Sequence, residues 1–131
     1  MKYLLLIYSN PENWEHPIFL HSPEFLAMSA EDRAALSDQS DTLHREIAES
    51  GELVVASALA DPLTTRTVRV RDGVAATTDG PYVEIKEQLA GYLVVDCDSP
   101  DRAAEIAARI PDARFGGVEV RPIMGMSGQE M

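Results

Sequence analysis

The densest run of polar side chains is Thr78-Asp79-Gly80-Pro81-Tyr82-Val83-Glu84-Ile85-Lys86-Glu87. Asp79 and Glu84 supply carboxylates for general-base chemistry, with Lys86 as an electrostatic partner, because a carboxylate held in a cleft has its pKa raised toward neutrality. Tyr82 and Arg69 are the candidate substrate-binding side chains beside them. A plainer reading stays open: Asp-Gly-Pro is a strong turn former by itself, and Glu84, Lys86 and Glu87 make a solvated, partly self-paired loop. His16 and His21 stand five apart in a segment that also carries Trp14, Phe19 and Phe25. In a functional reading they reach over a pocket mouth and shuttle a proton near neutral pH; in the bland one they are surface loop residues. Arg66, Arg69 and Arg71 lie close together in a chain short of cations, and with Lys86 they form an anion site for a carboxylate or phosphate, or else pair with the surplus acids. His44 reads as a boundary residue touching a sheet. Cys97, in an apolar strand and followed by Asp98, lacks the electropositive setting that makes a thiolate and reads as inert. No Cys or His spacing matches a zinc site, and there is no phosphate loop, nucleophile elbow or dinucleotide fingerprint, so neither a metal nor a cofactor is expected.

These residues need elements to hold them. Residues 3–8 form a continuous apolar and aromatic run, the pattern of a strand covered on both faces or lying at an interface. A long loop from Ser9 to Met28 follows, of a size that is often functional or lid-like. Ser29 opens a capping-box-like start, and a helix is predicted from about Ala30 to Ser50, with the stripe Leu36, Ser40, Leu43, Ile47 and Ala48 and a stop at Gly51. Residues 52–59 are a second strand. Arg66 to Arg71 and Val74 to Thr78 form a hairpin around Asp72-Gly73. Gly91 to Cys97 is a further apolar strand. Ser99-Pro100 opens a second helix with Ala103, Ala104, Ile106, Ala107 and Ile110 on its buried face, and Pro111 ends it. Gly117 to Pro122 is the last strand, and the tail 124–131 lacks periodicity. The order strand, helix, strand, inserted hairpin, strand, helix, strand is an α+β, ferredoxin-like βαββαβ pattern in one domain over residues 1–123. Two helices cover one face of such a sheet, so the apolar second face calls for a partner, and a homodimer packing sheet on sheet is the simplest supplier.

The segment Thr78-Asp79-Gly80-Pro81-Tyr82, followed by Glu84, Lys86-Glu87-Gln88-Leu89 and Gly91-Tyr92-Leu93, resembles the DGPF subgroup of the YCII-related proteins, with Tyr82 in place of the Phe of the name motif. The resemblance extends to the Lys2-Tyr3-Leu4 start, Thr67-Val68-Arg69-Val70-Arg71 and the terminal Val118-Glu119-Val120-Arg121-Pro122. It implies a dimeric α+β barrel of ferredoxin-like subunits and a cytoplasmic bacterial protein often encoded beside extracytoplasmic-function sigma factors. Related proteins have been proposed to use a His and Asp pair in a pocket. Asp79 falls in the name motif, but no histidine lies in or next to it, so that pair does not transfer residue by residue.

Composition narrows the partners. The 131 residues suit one domain with a core of its own, and 22 Asp+Glu against 11 Lys+Arg give a net charge of −11. Such a chain lacks the basic surface that DNA, RNA or anionic membranes require. The lone cysteine fits a reducing cytoplasm, and the apolar start ends too early, before Asn10-Pro11-Glu12, to serve as a signal peptide. Two functions remain. One is a small-molecule-binding protein or enzyme with proton-transfer chemistry in a dimer-interface cleft, its ligand polar or anionic. The other is a non-enzymatic accessory protein associated with sigma-factor-dependent transcription, its acidity suited to a basic protein surface.

Overall fold

Tyr3, Leu5, Leu93 and Val95 alternate along two strands and are buried under Leu43, Ile47, Ala103, Ile106 and Ala107 of two helices, and this contact is the main core of the chain. A computed structural model describes residues 1–82 and 86–125. The strands are β1 (Lys2–Ser9), β2 (Leu53–Ala58), β3 (Arg66–Arg71), β4 (Val74–Asp79), β5 (Gln88–Asp96) and β6 (Gly117–Pro122). The helices are α1 (Pro23–Leu26), α2 (Ala30–Ser50), α3 (Pro100–Ala108) and α4 (Asp112–Phe115). β2, β5, β1 and β6 lie side by side in that order, all antiparallel, which is the ferredoxin-like arrangement expected. Among the described residues β3 and β4 pair only with each other, as a separate hairpin. Among the described residues no helix is long and apolar enough to cross a membrane.

Local chemistry explains the boundaries. The Ser29 hydroxyl accepts from the Asp32 amide at 3.1 Å and starts α2, while Gly51, at φ 83°, ends it. Ser99 accepts from the Arg102 amide at 3.1 Å with Pro100 behind it, and α3 begins there. Asp72 and Gly73 both take positive φ, 51° and 75°, as a two-residue hairpin turn requires. Glu52 grips Arg102 through two hydrogen bonds of 2.8 and 2.9 Å, tying the entry of β2 to the first turn of α3.

Four expectations change. The segment 9–28 is not all loop: a 3-10 turn at Ile18–His21 leads into α1, which Ser22 caps by accepting from the Phe25 amide at 3.2 Å. Its rings build a second small core, in which Phe19 meets Phe25 edge-on at 5.5 Å and Phe25 meets Phe115 at 6.3 Å, over Leu36. Pro111 does not merely end α3. It precedes α4, so one short helical turn carries Asp112 inward to 7% exposure. Ala48 and Ala104 are exposed rather than on the buried faces of their helices, since neighbours one residue away already fill the contact.

On the opposite side of the sheet, Leu4 stands across from Val94 and Leu6 from Tyr92, all half-buried, with Val55 beyond Val94. Among the described residues no helix covers this side. The sequence pattern of strands apolar on both faces is thus present in the structure.

Candidate functional site

A cavity of about 480 Å³ opens on the helix-covered side of the sheet. Six stretches of chain wall it: the end of β1, β2, β5, the middle of α2, the loop at His16–Phe19, and the α3–α4 corner. The sheet wall depends on an irregularity. Ile7 faces Gly91 but Tyr8 faces Leu89, so Ala90 is an extra residue that bends β5 at this point. Gly91 has to be glycine, because a Cβ there would sit 2.7 Å from the Ser57 carbonyl oxygen. Ile7, Ala56, Ala58 and Leu93 make the rest of this wall apolar and mostly small.

The polar groups come from the other walls. Ser40, Asp41 and His44 project from one side of α2, as positions one turn apart must. His44 Nδ1 lies 2.9 Å from the Ser40 carbonyl, which only accepts, so Nδ1 carries the proton and Nε2 of the neutral ring is the acceptor. His16 has the converse arrangement. Its Nε2 donates to the Leu59 carbonyl at 2.6 Å, leaving Nδ1 as the acceptor. The Trp14 indole N–H donates to the same carbonyl at 2.9 Å and meets the His16 ring edge-on at 6.3 Å. Leu59 is itself held by its amide on the Ala90 carbonyl at 2.9 Å, so the loop is fastened to the rim of the sheet.

Asp112 completes the site. Burial raises its carboxyl from 3.8 to about 6, against the lesser pull of its own backbone amide and the His16 charge. Its Oδ2 is buried with no hydrogen-bond partner. A buried polar atom without a partner is uncommon and costly, and the residue that carries it lines a cavity large enough for a ligand. Neither Lys nor Arg lines that cavity, whereas Asp41 and Asp112 both do.

The residues singled out from sequence are dispersed. His16 lines the cavity. His21 instead faces Glu15 at 3.7 Å. Asp79 is exposed at the end of β4, opposite Arg66, and lines neither this cavity nor the smaller hollow described next. Gly80 follows at φ 99°, donating its amide to the Thr65 carbonyl at 2.7 Å and accepting from the Thr67 hydroxyl at 2.9 Å, which is the turn chemistry of the plainer reading. Tyr82 and Arg69 do come together, the guanidinium 4.9 Å from the ring centre, but Tyr82 is 71% exposed. Lys86 borders a separate hollow of about 220 Å³ with Asn10, Glu12, Asn13, Trp14 and Asp61. Glu84 lies outside the described residues. Cys97 is buried, and that burial pushes its thiol upward, in keeping with an inert role. Among the described residues no group of three His, Cys, Asp or Glu is placed to hold a metal ion.

Sequence reasoning missed Asp112 and underrated His44. Ser40, Asp41 and His44 at one-turn spacing were the available signal on α2. For Asp112 the only hint was an acidic residue directly after Pro111, where a helix can restart as readily as stop.

The model of the YCII-related domain matches residues 1–127. An uncharacterised protein of Rhizobium meliloti (strain 1021) is 35% identical over 95 residues, covering 71% of this chain and 76% of its own length. On a match that spans nearly the whole chain, this protein belongs to the YCII-related family.

Proposed function

We propose that the cavity is an acid–base site for a small molecule with an apolar body and a hydroxyl or amine head, and that Asp112 moves the proton. The observation that carries this reading is a buried carboxyl with one oxygen unpartnered, pushed up to about 6 by its burial, on the wall of a cavity that two histidines also line. Ionised Asp112 takes a proton from the ligand and returns it to a neighbouring ligand atom, so the step balances without a further reactant. His16 Nδ1 and His44 Nε2, both acceptors, receive the ligand's donors. The acidic lining disfavours the anionic ligand suggested by the arginines, which lie elsewhere. The Asp79–Tyr82 motif supports a place in the DGPF branch of the family, and Asp79 serves there as a turn residue.

Thermal-shift screening of small alcohols, phenols, amines, carboxylates and phosphate esters tests the reading, because a ligand that binds only the native state raises its apparent stability. Alcohols, phenols or amines should give the shifts. Hits whose hydroxyl- or amine-bearing carbon lies beside a carbonyl should exchange that carbon's hydrogen for deuterium in heavy water through the enol, and Asp112→Asn should slow that exchange by about 10²- to 10⁴-fold. Shifts confined to carboxylates and phosphates, or exchange indifferent to Asp112→Asn, would overturn it.

A further inference from the structure

Among the described residues, the hollow of about 220 Å³ beside Lys86 shares no lining residue with the larger cavity. Part of its lining is the end of the sheet, where Ser9 of β1 stands across from Gln88 of β5. The rest is the segment from Asn10 to Trp14, the turn at Asp61-Pro62, and Lys86 just ahead of β5. These walls are fastened from outside. The Trp14 indole is held by its bond of 2.9 Å to the Leu59 carbonyl, the Glu12 amide donates to the His21 carbonyl at 2.8 Å, and Oδ1 of Asp61 accepts from the Leu63 amide at 2.9 Å. Leu59, His21 and Leu63 all lie outside the lining, so the hollow is formed before any guest arrives.

Its chemistry differs from that of the cavity. Lys86 borders it together with Glu12 and Asp61, charges of both signs with a net −1. Among the described residues none of the three is in an ion pair, although opposite charges face the same space. Charges that line one hollow without touching are spaced to act on something between them. A simple anion there meets two carboxylates, and a simple amine meets the Lys86 ammonium, so either guest is opposed by a like charge. A molecule that carries a carboxylate and an ammonium group together answers both signs. The side-chain amides of Asn10 and Asn13 each donate and accept, and so suit either end of it. The guest is small, since the volume lies under the roughly 300 Å³ at which drug-sized pockets begin.

We propose that this hollow binds a small amino acid as its zwitterion, with Lys86 holding the carboxylate and Asp61 and Glu12 holding the ammonium group. The site uses none of the groups of the proton-transfer cavity and stands or falls apart from it.

Trp14 is the single tryptophan of the chain and lines the hollow, so its fluorescence reads occupancy directly. Titration of the full chain with glycine, alanine or serine should give a saturable change below about 10 mM, a modest affinity in keeping with a few charge-assisted bonds at an open rim. Acetate and methylamine, each carrying one of the two charges, should bind at least about tenfold more weakly. Lys86→Gln and Asp61→Asn should each raise the dissociation constant by about tenfold or more, the asparagine still offering an oxygen to the Leu63 amide. Lys86→Arg should keep the affinity within about threefold, because the cation remains. Circular dichroism unchanged from wild type would show that each variant is folded. Asp112→Asn should leave the titration as it is, which separates this site from the cavity. No saturable change up to about 10 mM would overturn the proposal, a weaker affinity than any built site for such a guest requires. So would acetate or methylamine binding as well as glycine, binding indifferent to Lys86→Gln and Asp61→Asn, or binding lost in Asp112→Asn.

Discussion

At the scale of single residues the informative group is Asp112, because one side chain serves two opposed ends. Its carboxyl is carried from 3.8 to about 6 chiefly by burial. A raised acid is favoured in the folded state when protonated, so the contribution is fully present below the unfolded value and is lost as pH rises through about 6. At pH 7 the ionised, buried group then costs the fold up to about 3 kcal/mol. Asp112→Asn keeps the shape and removes the charge. We expect this variant to unfold at higher denaturant than wild type at pH 7, with the gap closing at about pH 4, where both are neutral in the fold. Stability gained while hydrogen exchange in the ligand is lost would be the signature of a group retained for chemistry. A variant that is less stable at pH 7 would mean that the unpartnered oxygen is better satisfied than the structure indicates.

At the scale of elements, one carbonyl fastens the start of the segment from Asn10 to Met28 to the rim of the sheet. Leu59 accepts from Trp14 at 2.9 Å and from His16 at 2.6 Å, using both lone pairs. Trp14→Phe removes one bond and leaves the other, which should lower stability by about 0.5–1.5 kcal/mol. Because the loop is a wall of the cavity, the same change should weaken ligand binding several-fold, and titration calorimetry on wild type and variant would measure it. What could be read from sequence follows the range of the interaction. Ser29, Gly51, Ser99-Pro100 and Asp72-Gly73 act on their immediate neighbours, and the elements they bound lie where their chemistry indicates. The site was not legible in this way. Its walls come from Ile7 and residues 16–19, 40–44, 56–58, 90–93 and 110–112, which meet only once the helices dock on the sheet. The polar run around Asp79 drew attention because it is continuous, yet continuity in sequence places it on an exposed arm. His44 looked incidental until Asp112 stood across the same cavity.

For the whole molecule, two carboxyls displaced in opposite directions shape the response to acid. Glu52 is held from 4.5 down to about 2, first by its hydrogen bonds from Arg102 and against the penalty of burial. A depressed acid contributes stability above its unfolded value and loses it as pH falls through its folded one, so Glu52 weakens the fold between pH 4.5 and about 2. Asp112 acts from the other side, withdrawing stability between pH 3.8 and about 6. The net charge of −11 adds to the second trend, since self-repulsion among 22 acids grows as they ionise. These slopes cancel at about pH 4, and the stability maximum should fall there rather than near neutrality. Urea unfolding from pH 2 to 8 would trace the curve. Glu52→Gln should flatten its acid limb and lower the maximum by about 1–3 kcal/mol, leaving the fall above pH 4 intact. Asp112→Asn should do the converse, flattening the neutral limb and moving the maximum upward in pH. The two residues sit on different walls of the fold, Glu52 at the entry of β2 against α3 and Asp112 at the head of α4, so the double variant should show the sum of the two changes. A wild-type maximum at pH 7 would mean that neither displaced carboxyl governs the fold's response to pH.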